Sequence, residues 1–100
     1  MNWREVGDHH YLSDDGPVQV DVKPLFMTAS GKIPEGTSWW WEVSPKPHYS
    51  SLKISALGDV RNTLESAKRD AEVNAEMLTD KINDKLYRKL TGIQIKKKKK

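Results

Sequence analysis

Apolar and polar residues alternate most cleanly in VQVDVK, residues 18–23. Val18, Val20 and Val22 fall on one side, and Gln19, Asp21 and Lys23 on the other. A period of two predicts a half-buried strand, which Pro24 should end. TSWWWEV repeats the pattern with Trp39, Trp41 and Val43 aligned. Successive strand side chains point to opposite faces, so Trp40 stands alone on the far side. HHYLS, residues 9–13, reads as a further short strand. The turn DDGP follows it, with Gly16 free to take a positive φ. TASGKIPEG, residues 28–36, is a loop, and SPKPHYS with its two prolines must leave the sheet. SLKISAL, residues 51–57, alternates again, with Leu52, Ile54 and Ala56 inward and Gly58 closing the strand.

Beyond residue 60 the period changes. Leu64, Ala67, Ala71, Ala75, Leu78, Ile82, Leu86 and Leu90 recur at intervals of three and four, a continuous helical stripe. Asn62 is the expected N-cap, with Glu65 three residues on completing a capping box. Gly92 is the expected stop. The pattern predicts an α+β fold: an antiparallel sheet of three to four strands, about residues 9–57, packed on one long C-terminal helix, about residues 63–90. A single domain spans residues 1–92, and residues 93–100 form a disordered lysine-rich tail.

The two elements do not match in length. A helix over residues 63–90 is about 42 Å long, whereas strands of five to seven residues span roughly 17–24 Å. The alanines at 67, 71 and 75 allow close approach to the tryptophan-bearing face. The larger residues beyond them, Met77, Leu78, Ile82, Leu86, Tyr87 and Leu90, need another cover. That cover is the N-terminal segment with Trp3 and Val6, residues 25–27, a second copy of the chain, or a partner. Trp40 is either partly covered, by the Pro45–Tyr49 loop or the N-terminal segment, or free to anchor a partner; with His48 and Tyr49 it joins these residues as a candidate partner-binding surface, because aromatic anchors dominate interfaces.

Charge modifies the picture less than it first suggests. The formal net charge is +3 over 100 residues, yet Lys96, Lys97, Lys98, Lys99 and Lys100 supply five of the cations. Without them 12 basic residues face 14 acidic ones. A rival reading is a nucleic-acid accessory protein. It would use Lys81, Lys85, Arg88, Lys89 and the five terminal lysines, with Trp40 stacked on a base. There is no Cys, which excludes disulfides and thiolate metal sites. His9 and His10 are adjacent and would diverge in a strand, and His48 lies far off, so no metal is expected. SDDG lacks the remaining ligands of a calcium loop and reads as a turn. No phosphate loop, nucleophile elbow or ordered Ser–His–Asp set occurs, so neither catalytic residues nor a cofactor are expected. No apolar run approaches the roughly 20 residues of a membrane span, and the N-terminus lacks a signal-peptide core. A soluble, cytoplasmic protein with no membrane partner is the expectation.

WWWEVSP followed by ISALGDVRNTLESAKRDAE resembles a pattern in small phage and prophage proteins. In these a Trp-rich strand and a second strand ending in Ala-x-Gly lead into a helix of the form AKxxAE. The matching positions are Trp39, Trp41, Val43, Ala56, Gly58, Ala67, Lys68, Ala71 and Glu72. The resemblance implies a compact sheet-plus-helix protein that binds and blocks a bacterial host or defence protein. The leading expectation is therefore a non-enzymatic protein-binding module, a phage-encoded inhibitor or modulator, able to self-associate through the distal helix. The alternatives are the nucleic-acid accessory protein and a structural phage component.

Overall fold

The computed structural model describes residues 1–7, 9–14 and 16–98, with side chains described through Leu90. It is α+β. Five antiparallel strands lie in the order β1-β2-β3-β4-β5: Arg4–Gly7, His10–Ser13, Val18–Pro24, Trp39–Pro45 and Leu57–Arg61. One helix, α1, spans Leu64–Lys98. The sheet thus has five strands rather than three to four, and it extends beyond residues 9–57 at both ends. The two edge strands account for the difference. All of β1 is exposed, and so are Gly58, Asp59 and Val60 of β5. A strand without a buried face has no need to alternate.

The segment 51–57 departs from its expected strand. Pro47–Leu52 forms a 3₁₀ turn with proline at its start, and Lys53 ends it in the left-handed region at φ 55°. Leu52 and Ile54 still pack on the core, but from irregular chain, and Ala56 is exposed. Gly58 does not close a strand; it sits inside β5 opposite Glu42. A Cβ there would stand 3.0 Å from the Trp41 carbonyl oxygen, so the β4 backbone would have to give by a few tenths of an ångström, which favours glycine.

The core lies between one face of the sheet and one stripe of α1. Val18, Val20 and Val22 pair across to Trp41, Val43 and their neighbours on β4, and Ala67, Ala71, Ala75, Leu78 and Ile82 cover them. Alanine is the smallest side chain with good helix propensity, so the helix axis can come close to the two large indoles. Each indole N–H that reaches the helix is satisfied. Trp41 Nε1 donates to Asp70 Oδ2 at 2.9 Å, and Trp3 Nε1 donates to Glu72 Oε2 at 2.8 Å. Residues 70 and 72 flank Ala71, so the two bonds staple the helix from opposite sides. The Lys68 ammonium lies 4.1 Å from the Tyr11 ring centroid and 5.6 Å from that of Trp3, closing the β2 side by cation–π contact.

The helix starts one residue later than expected. Thr63 is the N-cap: its Oγ1 accepts from Ser66 N at 3.1 Å, and its own N–H donates to Ser66 Oγ at 3.3 Å. This is the reciprocal capping box with a hydroxyl in place of the carboxylate, and it displaces the expected Asn62–Glu65 pair. Gly92 does not stop α1. One interior glycine costs only about 1 kcal/mol, and no proline follows it. The expected tail at 93–100 falls where no side chain is described, and Lys99 and Lys100 lie outside the described residues altogether.

The cover of the distal helix is the main correction. Leu78 and Ile82 are fully buried. Tyr49, Leu52, Ile54 and Leu57 pack against the same cluster, and Lys85 Nζ donates to the Leu52 carbonyl at 3.2 Å. The proline-bearing segment 45–57 therefore folds over the helix instead of over Trp40. Neither of the other expected covers is used. Trp3 lies beside the first half of α1, at Glu72 and Lys68, and Val6 is exposed. Leu25, Phe26 and Met27 are also exposed. They follow Pro24, which pairs with Trp39; Trp39 pairs with Arg61 just before the helix starts. They thus lie at the opposite end of the molecule from the distal helix.

Candidate functional site

Trp40 stands on the sheet face away from the helix, as alternation requires. It is half-buried, between Lys23 and Val60 on the neighbouring strands. The Lys23 ammonium lies 4.9 Å from the ring centroid. A Cβ at Gly58 would be 3.8 Å from Trp40 Nε1, so the indole lies over the glycine. The ring thus shields bare backbone on one side and carries a cation on the other. Leu12, opposite Asp21, and Val60 are the other apolar residues of this face among the described strands. His10 Nε2 and Asp21 Oδ1 are 2.9 Å apart, and Gln19 Nε2 donates to Asp21 Oδ2 at 3.2 Å.

The remaining candidates divide. His48 is exposed and tilted against Tyr49, which is half-buried on the core. Ile82 is wholly interior and cannot meet a partner without unfolding, and Leu78, 2% exposed, reaches the surface only at the floor of a depression beside Leu57. Leu86 is half-buried. Met77, Tyr87 and Leu90 are 58%, 64% and 86% exposed. At 100° per residue Met77 and Leu90 point about 140° apart, so they do not form one stripe. Leu86 and Leu90 share the face that continues the core stripe beyond the sheet. Among the basic residues, Arg88 Nε pairs with Asp84 at 3.1 Å and Lys85 is tied to Leu52. Asp80 and Asp84 interrupt the row formed with Lys81 and Lys89. The side chains of the five terminal lysines lie outside the described residues.

Two features escape a linear reading. The first is the exposed triplet Leu25, Phe26 and Met27, with Phe26 at 68%. Its apolar character was visible, but its position at a loop was not, because it follows directly on a strand. The second is a groove between the β5 edge and one flank of α1. One depression of about 260 Å³ is lined by Asp59, Arg61, Asp70 and Asn74, and a second of about 170 Å³ by Ser55, Met77, Leu78 and Lys81. Leu57 lines both. No short stretch of sequence contains both walls.

The polar end of the groove is internally satisfied. Arg61 bridges Asp70 at 2.8 Å and Asp59 at 2.9 Å, and Asn74 Nδ2 donates to the Asp70 carbonyl at 2.8 Å. The Val60 N–H and the Arg61 guanidinium hold the Asp59 carboxyl below its ordinary value of 3.8. A third depression, about 360 Å³, lies between Met1, Val18 and the helix, where Glu72 already accepts the Trp3 indole. Among the described residues no three His, Cys, Asp or Glu side chains converge to hold a metal. No described helix is long and apolar enough to cross a membrane. No family model, curated protein or solved structure matches this chain.

Proposed function

We propose that the protein is a non-enzymatic protein-binding module. The observation that carries the reading is the set of large apolar side chains left outside a closed core. Leu25, Phe26 and Met27 are exposed at one end, and Met77, Tyr87 and Leu90 along the helix. Among the described residues a core of eleven buried apolar side chains already closes without them, so they are not surplus from poor packing. Leu25, Phe26 and Met27 are consecutive, and clustered exposed apolar side chains mark interaction surfaces. The resemblance to small phage proteins narrows the proposal to a modulator of a bacterial host or defence protein. Self-association through Leu86 and Leu90 is a second use of the same overhang.

Affinity capture from bacterial lysate tests this. The intact protein is compared with Phe26→Ser, Leu90→Ser and Trp40→Ala variants. One protein recovered in stoichiometric amount, and lost with Phe26→Ser or Leu90→Ser, is the expected result. Recovery of the same proteins by all four forms would sink the reading. Capture of nucleic acid that weakens by orders of magnitude from low to moderate salt would favour the rival.

A further inference from the structure

The groove between β5 and α1 has the parts needed to hold an extended peptide by its carboxyl end. This inference rests on the protein-binding reading and names the partner chemistry for one surface. β5 is an edge strand. In an antiparallel pair, alternate residues turn their main-chain groups toward and away from the neighbouring strand. The Leu25 N–H donates to the Ser38 carbonyl and the Lys46 N–H to the Pro17 carbonyl, so Trp40 and Glu42 turn their main-chain groups toward β3. Val60 and Gly58, opposite them on β5, therefore turn theirs outward, and the Val60 N–H bonds to Asp59 Oδ1 at 2.7 Å. At Val60 both outward groups are occupied, because Arg61 Nη1 also donates to the Val60 carbonyl at 3.0 Å. This caps the edge against uncontrolled pairing. Among the described residues no side chain caps Gly58. The open part of the edge is therefore short, and it lies next to the apolar depression.

We infer that this groove takes the last few residues of a protein chain ending in an apolar residue, added antiparallel to β5 with its terminal carboxylate on Lys81. Direction follows from topology. β5 runs from Leu57 to Arg61, so an antiparallel addition ends beside Leu57. The penultimate residue then faces Gly58 and exchanges two main-chain hydrogen bonds with it. The last side chain falls on the helix side, into the depression formed by Leu57, Met77 and Leu78. Lys81 lines that depression and has no ion pair among the described residues, so its charge is available to a carboxylate. The third residue from the end faces Asp59, Arg61 and Asp70, where two carboxylates outnumber one guanidinium; a hydrogen-bond donor or a cation suits it. From Asp70 to Lys81 the groove is about 16 Å long. Only the last three residues of the peptide lie along the open stretch of β5, because Asp59 and Arg61 cap the edge at Val60. β1, the other edge, lacks these features: its pairing is broken by an irregularity between Glu5 and Gly7.

The test uses the full chain and a library of random heptapeptides displayed with free carboxyl ends. Enriched sequences should end in Leu, Ile, Val or Met. A synthetic consensus peptide should shift the amide signals of residues 57–61 and 77–81 in a ¹⁵N correlation spectrum. Amidating its carboxyl end, or reversing the charge with Lys81→Glu, should each weaken binding about tenfold, as expected for one charge-assisted hydrogen bond. Met77→Asp, at an exposed position, should weaken it by a similar factor without disturbing the fold. No enrichment, equal binding of the amidated peptide, or signal shifts confined to Trp40, Phe26 or Leu90 would overturn the assignment. The broader reading fails separately, when no protein is captured in a way that depends on Phe26 or Leu90.

Discussion

Replacing Ile82 with alanine tests whether this small protein closes its own core over the far half of the helix. Ile82 is fully buried, in a cluster that Tyr49, Leu52 and Ile54 complete from outside the sheet and Leu57 from the start of β5. The substitution removes three carbon atoms. Transfer alone is worth about 0.8 kcal/mol per methylene, or about 2.5 kcal/mol in all. The cavity left behind adds to this, and buried Ile→Ala changes typically cost about 2–5 kcal/mol. The total stability of a domain this size is about 5–15 kcal/mol, so the loss should be large. Urea unfolding followed by tryptophan fluorescence would show it, with the midpoint falling by about 2 M for a slope near 1.5 kcal/mol/M. Leu90→Ala is the control: Leu90 is 86% exposed, and its loss should stay within about 0.5 kcal/mol. Equal effects at the two positions would refute the reasoning. They would mean that segment 45–57 does not shelter the helix.

Further outcomes follow from the same packing. Ala71→Leu should destabilise by about 1–3 kcal/mol in the same assay, because the helix cannot retreat while Asp70 and Glu72 hold it to two indoles. Thr63→Ala should cost about 1 kcal/mol, whereas Asn62→Ala should be nearly silent, since Thr63 makes the cap. Ser13 Oγ is buried with no hydrogen-bond partner among the described residues, so Ser13→Ala should stabilise by about 1 kcal/mol. The Asp59 carboxyl titrates below its ordinary value of 3.8. Its contribution is present above the unfolded value and is lost as pH falls through the lower folded one, so Asp59→Asn should flatten the acid side of a stability–pH curve. An NMR titration placing Asp59 at or above 3.8 would contradict this.

Some of this was legible along the chain, and the boundary is physical. β3, β4 and α1 each bury one face, so their periods are printed in Val18–Val20–Val22, Trp39–Trp41–Val43 and the alanine stripe. Trp40's side of the sheet followed from the same alternation. β1 and β5 bury almost nothing and left no period to read. Leu52 and Ile54 mimic a strand because both are apolar, yet they pack from irregular chain. Asn62 and Thr63 can both cap a helix; Ser66, placed to answer Thr63, decides between them. What covers Leu78 and Ile82 is a contact between residues some 30 positions apart, and a length mismatch shows that a cover is needed without saying which. The groove has the same character: Gly58 and Lys81 meet only once the sheet and helix are assembled.

Amide hydrogen exchange along α1, measured over a hundredfold range of protein concentration, bears most directly on the claim that one chain shelters its own distal helix. The account predicts strong protection at Leu78 and Ile82 that does not change with concentration. Protection there that appears only as concentration rises would contradict it, since the cover would then be a second copy of the chain.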